Sequence, residues 1–146
     1  MCRYAIHAED TLNIGVEVLK GLIAGTFDLF HPGHVHTFNV AKCELIVALH
    51  THNSSKRQPI QTIFERYVQL KAHRNVVEVI PYDTELDLER MMETTTFDYY
   101  FVSEEYPIKS ITGYDILNRR DISIIQLSRK HRWSTTMFLN RIRNEG

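Results

Sequence analysis

The chain has 146 residues, 43% of them hydrophobic, with 17 Lys and Arg against 18 Asp and Glu and a formal net charge of −1. That length gives one domain with room for a core, while the near-balanced charge gives no support to a nucleic-acid or membrane-surface binder. No apolar run approaches the ~18 residues a membrane span needs, Met1 to Asp10 is too polar for a signal peptide, and Cys2 and Cys43 show no metal or redox spacing, so the expected compartment is a reducing cytoplasm.

In chain order, residues 1–20 read as an extension preceding a domain over 21–146. The alternation of Leu12, Ile14, Val16 and Val18 favours a strand there. Five short apolar stretches then read as strands: Gly21 to Ala24, Leu45 to Leu49, Val76 to Ile80, Tyr99 to Val102 and Ile122 to Leu127. Between and after them, helices are expected over Val35 to Ala41, Ile63 to His73, Leu86 to Thr95, part of Ile108 to Leu117, and Thr135 to Arg143. This alternation predicts a parallel α/β sheet, whose ligands lie beyond the carboxyl ends of the strands.

The first strand runs straight into Gly25-Thr26-Phe27-Asp28-Leu29-Phe30-His31-Pro32-Gly33-His34. A tight glycine turn therefore leads to two histidines at the mouth of a helix. Unpaired N–H groups and positive dipole charge at a helix start attract phosphate. Gly25 and Gly33 let the backbone come close to a ligand. Imidazoles three residues apart can point to one side and offset charge that builds up on a phosphoryl group during transfer.

This stretch resembles the HxGH signature of the nucleotidyltransferase superfamily, and its GTFD form resembles the cytidylyltransferase branch. The resemblance extends over about residues 21–143. It implies an α/β fold of the HxGH nucleotidyltransferase type, with a Rossmann-like parallel sheet of about five strands flanked by helices. Arg129 followed by Ser134-Thr135-Thr136 resembles the family's RTxGxSTT element, which grips the β- and γ-phosphates, with Lys130 and Arg132 replacing its first threonine and its glycine. Without the resemblance, Ser134 would read simply as the N-cap of the last helix. Lys56, in the polar stretch after the second strand, matches the family's lysine-rich loop; the plain alternative is a solvated loop. Ser103-Glu104-Glu105-Tyr106 stands where the family has Gly-Asp-Asp-Trp, making Glu105 and Tyr106 candidates for binding the second substrate. Arg74 to Pro81 resembles the family's RYVDEVIP, which lies at a dimer interface, with Asn75 and Val77 as departures.

The resemblance implies a cytidylyltransferase that transfers CMP from CTP to a small alcohol phosphate such as glycerol 3-phosphate, releasing pyrophosphate. The attack is direct, and Mg2+ travels with the nucleotide phosphates. His31, His34, Lys56 and Arg129 are the implied catalytic residues. Thr26, Phe27, Ser134, Thr135 and Thr136 join them in holding the nucleotide. A homodimer is implied as well. Two alternatives stay open: an adenylyltransferase of the same superfamily, and a nucleotide-binding protein without turnover. His31, His34 and His36, with His50 and His52, also raise a metal site, but the glycine turn and helix start suit phosphate better. Trp133 reads as a hydrophobic staple for the last helix.

Overall fold

A computed structural model describes residues 18–52 and 58–145, so most of the N-terminal extension and Lys56 lie outside the described residues. Five parallel strands form one sheet: β1 Lys20–Gly25, β2 Glu44–His50, β3 Val76–Tyr82, β4 Tyr99–Ser103 and β5 Ser123–Leu127. Their order is β3-β2-β1-β4-β5. The helices are α1 Pro32–Ala41, α2 Ile63–Lys71, α3 Glu85–Thr94, α4 Tyr114–Arg119 and α5 Thr135–Glu145. Of the stretch Ile108 to Leu117, expected to be helical in part, the end from Tyr114 belongs to α4 and Ile108–Ser110 forms a separate 3-10 turn. Gly113, with φ of 80°, starts α4 afresh.

Alternating side chains put core on both faces of the sheet, as parallel strands require. Leu22, Ile46, Ala48, Tyr100 and Val102 pack with Leu88, Met92 and Leu117 of α3 and α4. Ile23, Leu45, Val47, Leu49 and Phe101 pack on the opposite face with Phe38 and Ala41 of α1 and Leu70 of α2. Asn75, which departs from the family pattern, is buried and donates from Nδ2 to the carbonyl of Phe38 at 3.0 Å, tying the start of β3 to α1.

The chain moves outward from β1 through β2 to β3, then returns to pair β4 on the other side of β1. The crevice beyond the ends of β1 and β4 is therefore the switch point at which open α/β sheets take ligands.

Candidate active site

A cleft of about 920 Å³ opens at that switch point. Its wall on the β1 side is the turn after the strand. Phe27 and Leu29 both lie in the left-handed region, with φ of 50° and 52°. Each costs about 1–2 kcal/mol in a non-glycine residue, so other contacts must hold the turn. Four groups do so. Arg66 Nη1 donates to the carbonyl of Thr26 at 3.0 Å, and the amide of Leu29 donates to Gln61 Oε1 at 2.7 Å. The Asp28 carboxylate accepts from the amides of Ile60 and Gln61 at 2.9 and 3.0 Å. Thr135 Oγ1 donates to the Asp28 carbonyl at 3.1 Å.

Arg66 is the centre of this arrangement and is only 1% exposed. Besides Thr26, it donates to the carbonyls of His50, Thr51 and Gln61 at 2.7, 2.7 and 3.3 Å. One guanidinium thus joins the loops that follow β1 and β2. The pattern of residues gives no signal for this role, because the acceptors are backbone groups from distant parts of the chain.

His31 is the N-cap of α1 and Pro32 opens the helix. The amide of Gly33 donates to His31 Nδ1 at 3.0 Å, and the amide of His31 donates to His34 Nδ1 at 3.3 Å. Both Nδ1 atoms are acceptors, so in each neutral ring the proton sits on Nε2. The rings stack with centroids 3.8 Å apart. Burial, then the neighbouring His31 and Arg129, push His34 down to about 3. Burial, with His131 and Arg129 adding to it, also lowers His31. At neutral pH the pair therefore presents uncharged N–H donors. A Cβ at Gly33 would come within 2.8 Å of His31 Cε1 and 3.1 Å of the Trp133 carbonyl, so the glycine lets the chain before α5 pass over the start of α1.

The second wall comes from β5 and α5. Arg129, Thr135 and Thr136 line the cleft with Thr26, Phe27, His34 and Tyr106. Ser134 Oγ accepts from the amide of Met137 at 3.1 Å and caps α5 instead of lining the cleft. His31 stands behind His34, outside the lining. Glu105 is not part of the lining but pairs with Arg129 at 3.0 Å. Lys56 lies outside the described residues. Trp133 stacks on His131, the centroids 5.4 Å apart. His50 and His52 lie at the end of β2 and do not line the cleft. Among the described residues no group of three or more His, Cys, Asp or Glu could hold a metal ion. Two walls carrying N–H and O–H donors and one arginine suit the phosphates of a nucleotide.

Residues 22–141 match the cytidylyltransferase-like family. The chain belongs to that family. It is 34% identical over 131 residues to the bifunctional protein HldE of Hyphomonas neptunium, covering 83% of this chain and 26% of that protein. The HldE protein of Gluconacetobacter diazotrophicus is 29% identical over 136 residues, covering 86% and 28%. The chain thus spans about a quarter of the length of these curated relatives. The crystal structure of the lipopolysaccharide core biosynthesis protein from Thermoplasma volcanium has the same fold, with a TM-score of 0.59 and 17% identity over 77% of this chain and 96% of that one. As a cytidylyltransferase-like domain, the chain is a nucleotidyltransferase-type protein with a Rossmann-like sheet.

Proposed function

We propose that the chain transfers CMP from CTP to a small alcohol phosphate of the glycerol 3-phosphate kind. The acceptor's phosphate oxygen attacks the α-phosphorus in line, the bond to the β-phosphate oxygen breaks, and pyrophosphate leaves. The observation that carries this reading is the meeting of His34, with His31 stacked behind it, with Arg129, Thr135 and Thr136 across one cleft, held together by the Thr135–Asp28 bond. Nε2–H of His34 donates to the α-phosphate oxygens, helped by His31 behind it, and favours the transition state because charge redistributes there. Arg129, Thr135 and Thr136 hold the β- and γ-phosphates, with Thr26 and Phe27 contributing from the strained turn and Lys56 as a further cation. Ser134 acts through the cap of α5. Tyr106 borders the acceptor, and Glu105 acts through Arg129.

The nucleotide enters as its magnesium salt. The Asp28 carboxylate is engaged with two amides, so the donor set fits an ion carried by the phosphates and water. We propose the cytoplasm as the compartment; among the described residues no helix is long and apolar enough to cross a membrane.

A homodimer is part of the same proposal. Ile63, Phe64, Tyr67 and Val68 of α2 are exposed, Phe64 by 69%, beside exposed Val77 on the edge strand β3. An apolar face of this kind next to an open strand edge suits a second copy.

The test is pyrophosphate release from CTP, ATP, GTP and UTP against a panel of phosphomonoesters, with and without magnesium. CTP is expected to be preferred. ATP turnover equal to or above that of CTP overturns the cytidylyl assignment, and binding without turnover on any acceptor overturns the enzyme reading. Light scattering at micromolar concentration is expected to give twice the chain mass.

A further inference from the structure

The part of the cleft facing α3 and α4 is built differently from the phosphate walls. Tyr82, the last residue of β3, and Tyr100 of β4 both line it and are 8% and 6% exposed. Their rings belong to the apolar cluster with Leu88 and Met92. Neither hydroxyl meets a hydrogen-bond partner among the described residues. Neither is sealed from the cavity: the fully buried side-chain atom without a partner there is Oε1 of Gln69. A hydroxyl this deep with nothing bonded to it needs a partner from the cavity. Glu85, the first residue of α3, faces the same space and accepts from Thr112 Oγ1. Burial first, then the Glu85 carboxylate, pushes Tyr82 up to about 12; burial, then Tyr82 and Glu85, pushes Tyr100 upward as well, so both stay protonated donors.

We propose that Tyr82, Tyr100 and Glu85 form the acceptor pocket and read the hydroxyl groups of an uncharged, polyhydroxylated chain or ring whose phosphate points toward His34. The proposal rests on the nucleotidyl-transfer reading and gives the acceptor its class. Two tyrosine hydroxyls and a carboxylate with lone pairs to spare match neighbouring alcohol groups, each of which both donates and accepts. Arg129 stands on the opposite, phosphate-facing wall, so a second anionic group on the acceptor would meet the Glu85 carboxylate without compensation among the described lining. A quaternary ammonium needs open ring faces around it. Here the rings are packed into the core, and one face of Tyr82 is covered by His50, with centroids 4.8 Å apart and 16° between planes.

The experiment is equilibrium binding of glycerol 3-phosphate, glucose 1-phosphate and choline phosphate to the full chain saturated with a non-hydrolysable CTP analogue. The two polyol phosphates are expected to bind about tenfold more tightly than choline phosphate. Tyr100→Phe and Glu85→Gln are each expected to weaken polyol binding about fivefold, the loss of one or two hydrogen bonds, with nucleotide affinity unchanged. Tyr82→Phe, which like Tyr100→Phe keeps the ring in the core, provides a second conservative variant. Equal binding across the variants, tighter binding of choline phosphate, absence of polyol phosphate binding, or a matching loss of nucleotide affinity would each overturn the proposal. Polyol binding that survives without any pyrophosphate release refutes the enzyme reading and leaves the pocket standing.

Discussion

The carboxylate of Glu105 holds the guanidinium of Arg129 at 3.0 Å on the rim of the cleft, and the neighbouring Glu104 accepts from the Arg129 amide at the same distance. The two side chains are 57% and 45% exposed, so the pair contributes at most about 1 kcal/mol to stability. Its effect lies in binding, because a phosphate must take Arg129 from Glu105. Glu105→Gln is expected to tighten nucleotide binding about twofold to fivefold, and Arg129→Ala to weaken it about tenfold or more. Calorimetric titration of both variants checks this, and unchanged affinity in Arg129→Ala would place the phosphates elsewhere.

His34→Ala is expected to lower kcat on the order of a hundredfold, about 3 kcal/mol of transition-state stabilisation, with CTP affinity much less affected. The variant also loses stability. His34 Nδ1 closes the capping box by accepting from the His31 amide, and its ring packs on Phe27, Phe30 and His31. Losing that cap costs about 1 kcal/mol, so kcat, Kd and Tm should be measured on one preparation. Full activity in this variant sinks the catalytic role.

Acid should destabilise the fold through the same ring. In the unfolded chain His34 takes up a proton near its ordinary value of 6.5, whereas in the folded chain it does so only at about 3. The unfolded state thus binds more protons between these values, and stability is lost as pH falls through that window. Tm is expected to drop between pH 7 and pH 4.5, with a smaller drop in His34→Gln. An NMR titration should find the His34 ring signal constant from pH 8 to pH 5; a step near 6.5 contradicts the buried, neutral imidazole.

Arg66→Lys should be damaging although it keeps the charge. An ammonium cannot reach the carbonyls of Thr26, His50, Thr51 and Gln61 together, as the guanidinium fork does. Buried carbonyls left without donors cost about 1–3 kcal/mol each. A loss of roughly 3 kcal/mol in urea unfolding is expected, accompanied by weaker nucleotide binding because the turn at Phe27 and Leu29 loses a tether. Wild-type stability would remove Arg66 from its central place.

The five strands were legible because each is a short apolar run set between helical stretches, and their observed limits differ from the expected ones by a residue or two at most, β5 starting one residue late and the others running longer. The sequence pattern starts α1 at Val35, but the helix begins at Pro32, because the His31 cap is made by an imidazole and not by one of the usual capping side chains. Thr26, His34, Arg129, Thr135 and Thr136 stand out in the sequence through short patterns, and they line one cleft. What stayed hidden were side chains that bind distant backbone. Asp28, Arg66 and Asn75 acquire their roles only when loops far apart in the chain come together. Tyr82 and Tyr100 read as ordinary strand aromatics, since nothing local distinguishes a ring with a bonded hydroxyl from one without.

The bond from Thr135 to the Asp28 carbonyl spans 107 positions of chain. β1, the middle strand of the sheet, is synthesised well before α5, yet the turn it leads into acquires its tether to Thr135 only once α5 has emerged. Contacts between such distant segments form late, because the intervening loop must first be ordered. A nascent chain halted before β5 would carry the glycine turn and both histidines without the second wall that faces them. Ligand binding therefore waits for α5, and a nucleotide added during refolding should report the docking of α5 and not the earlier collapse around β1.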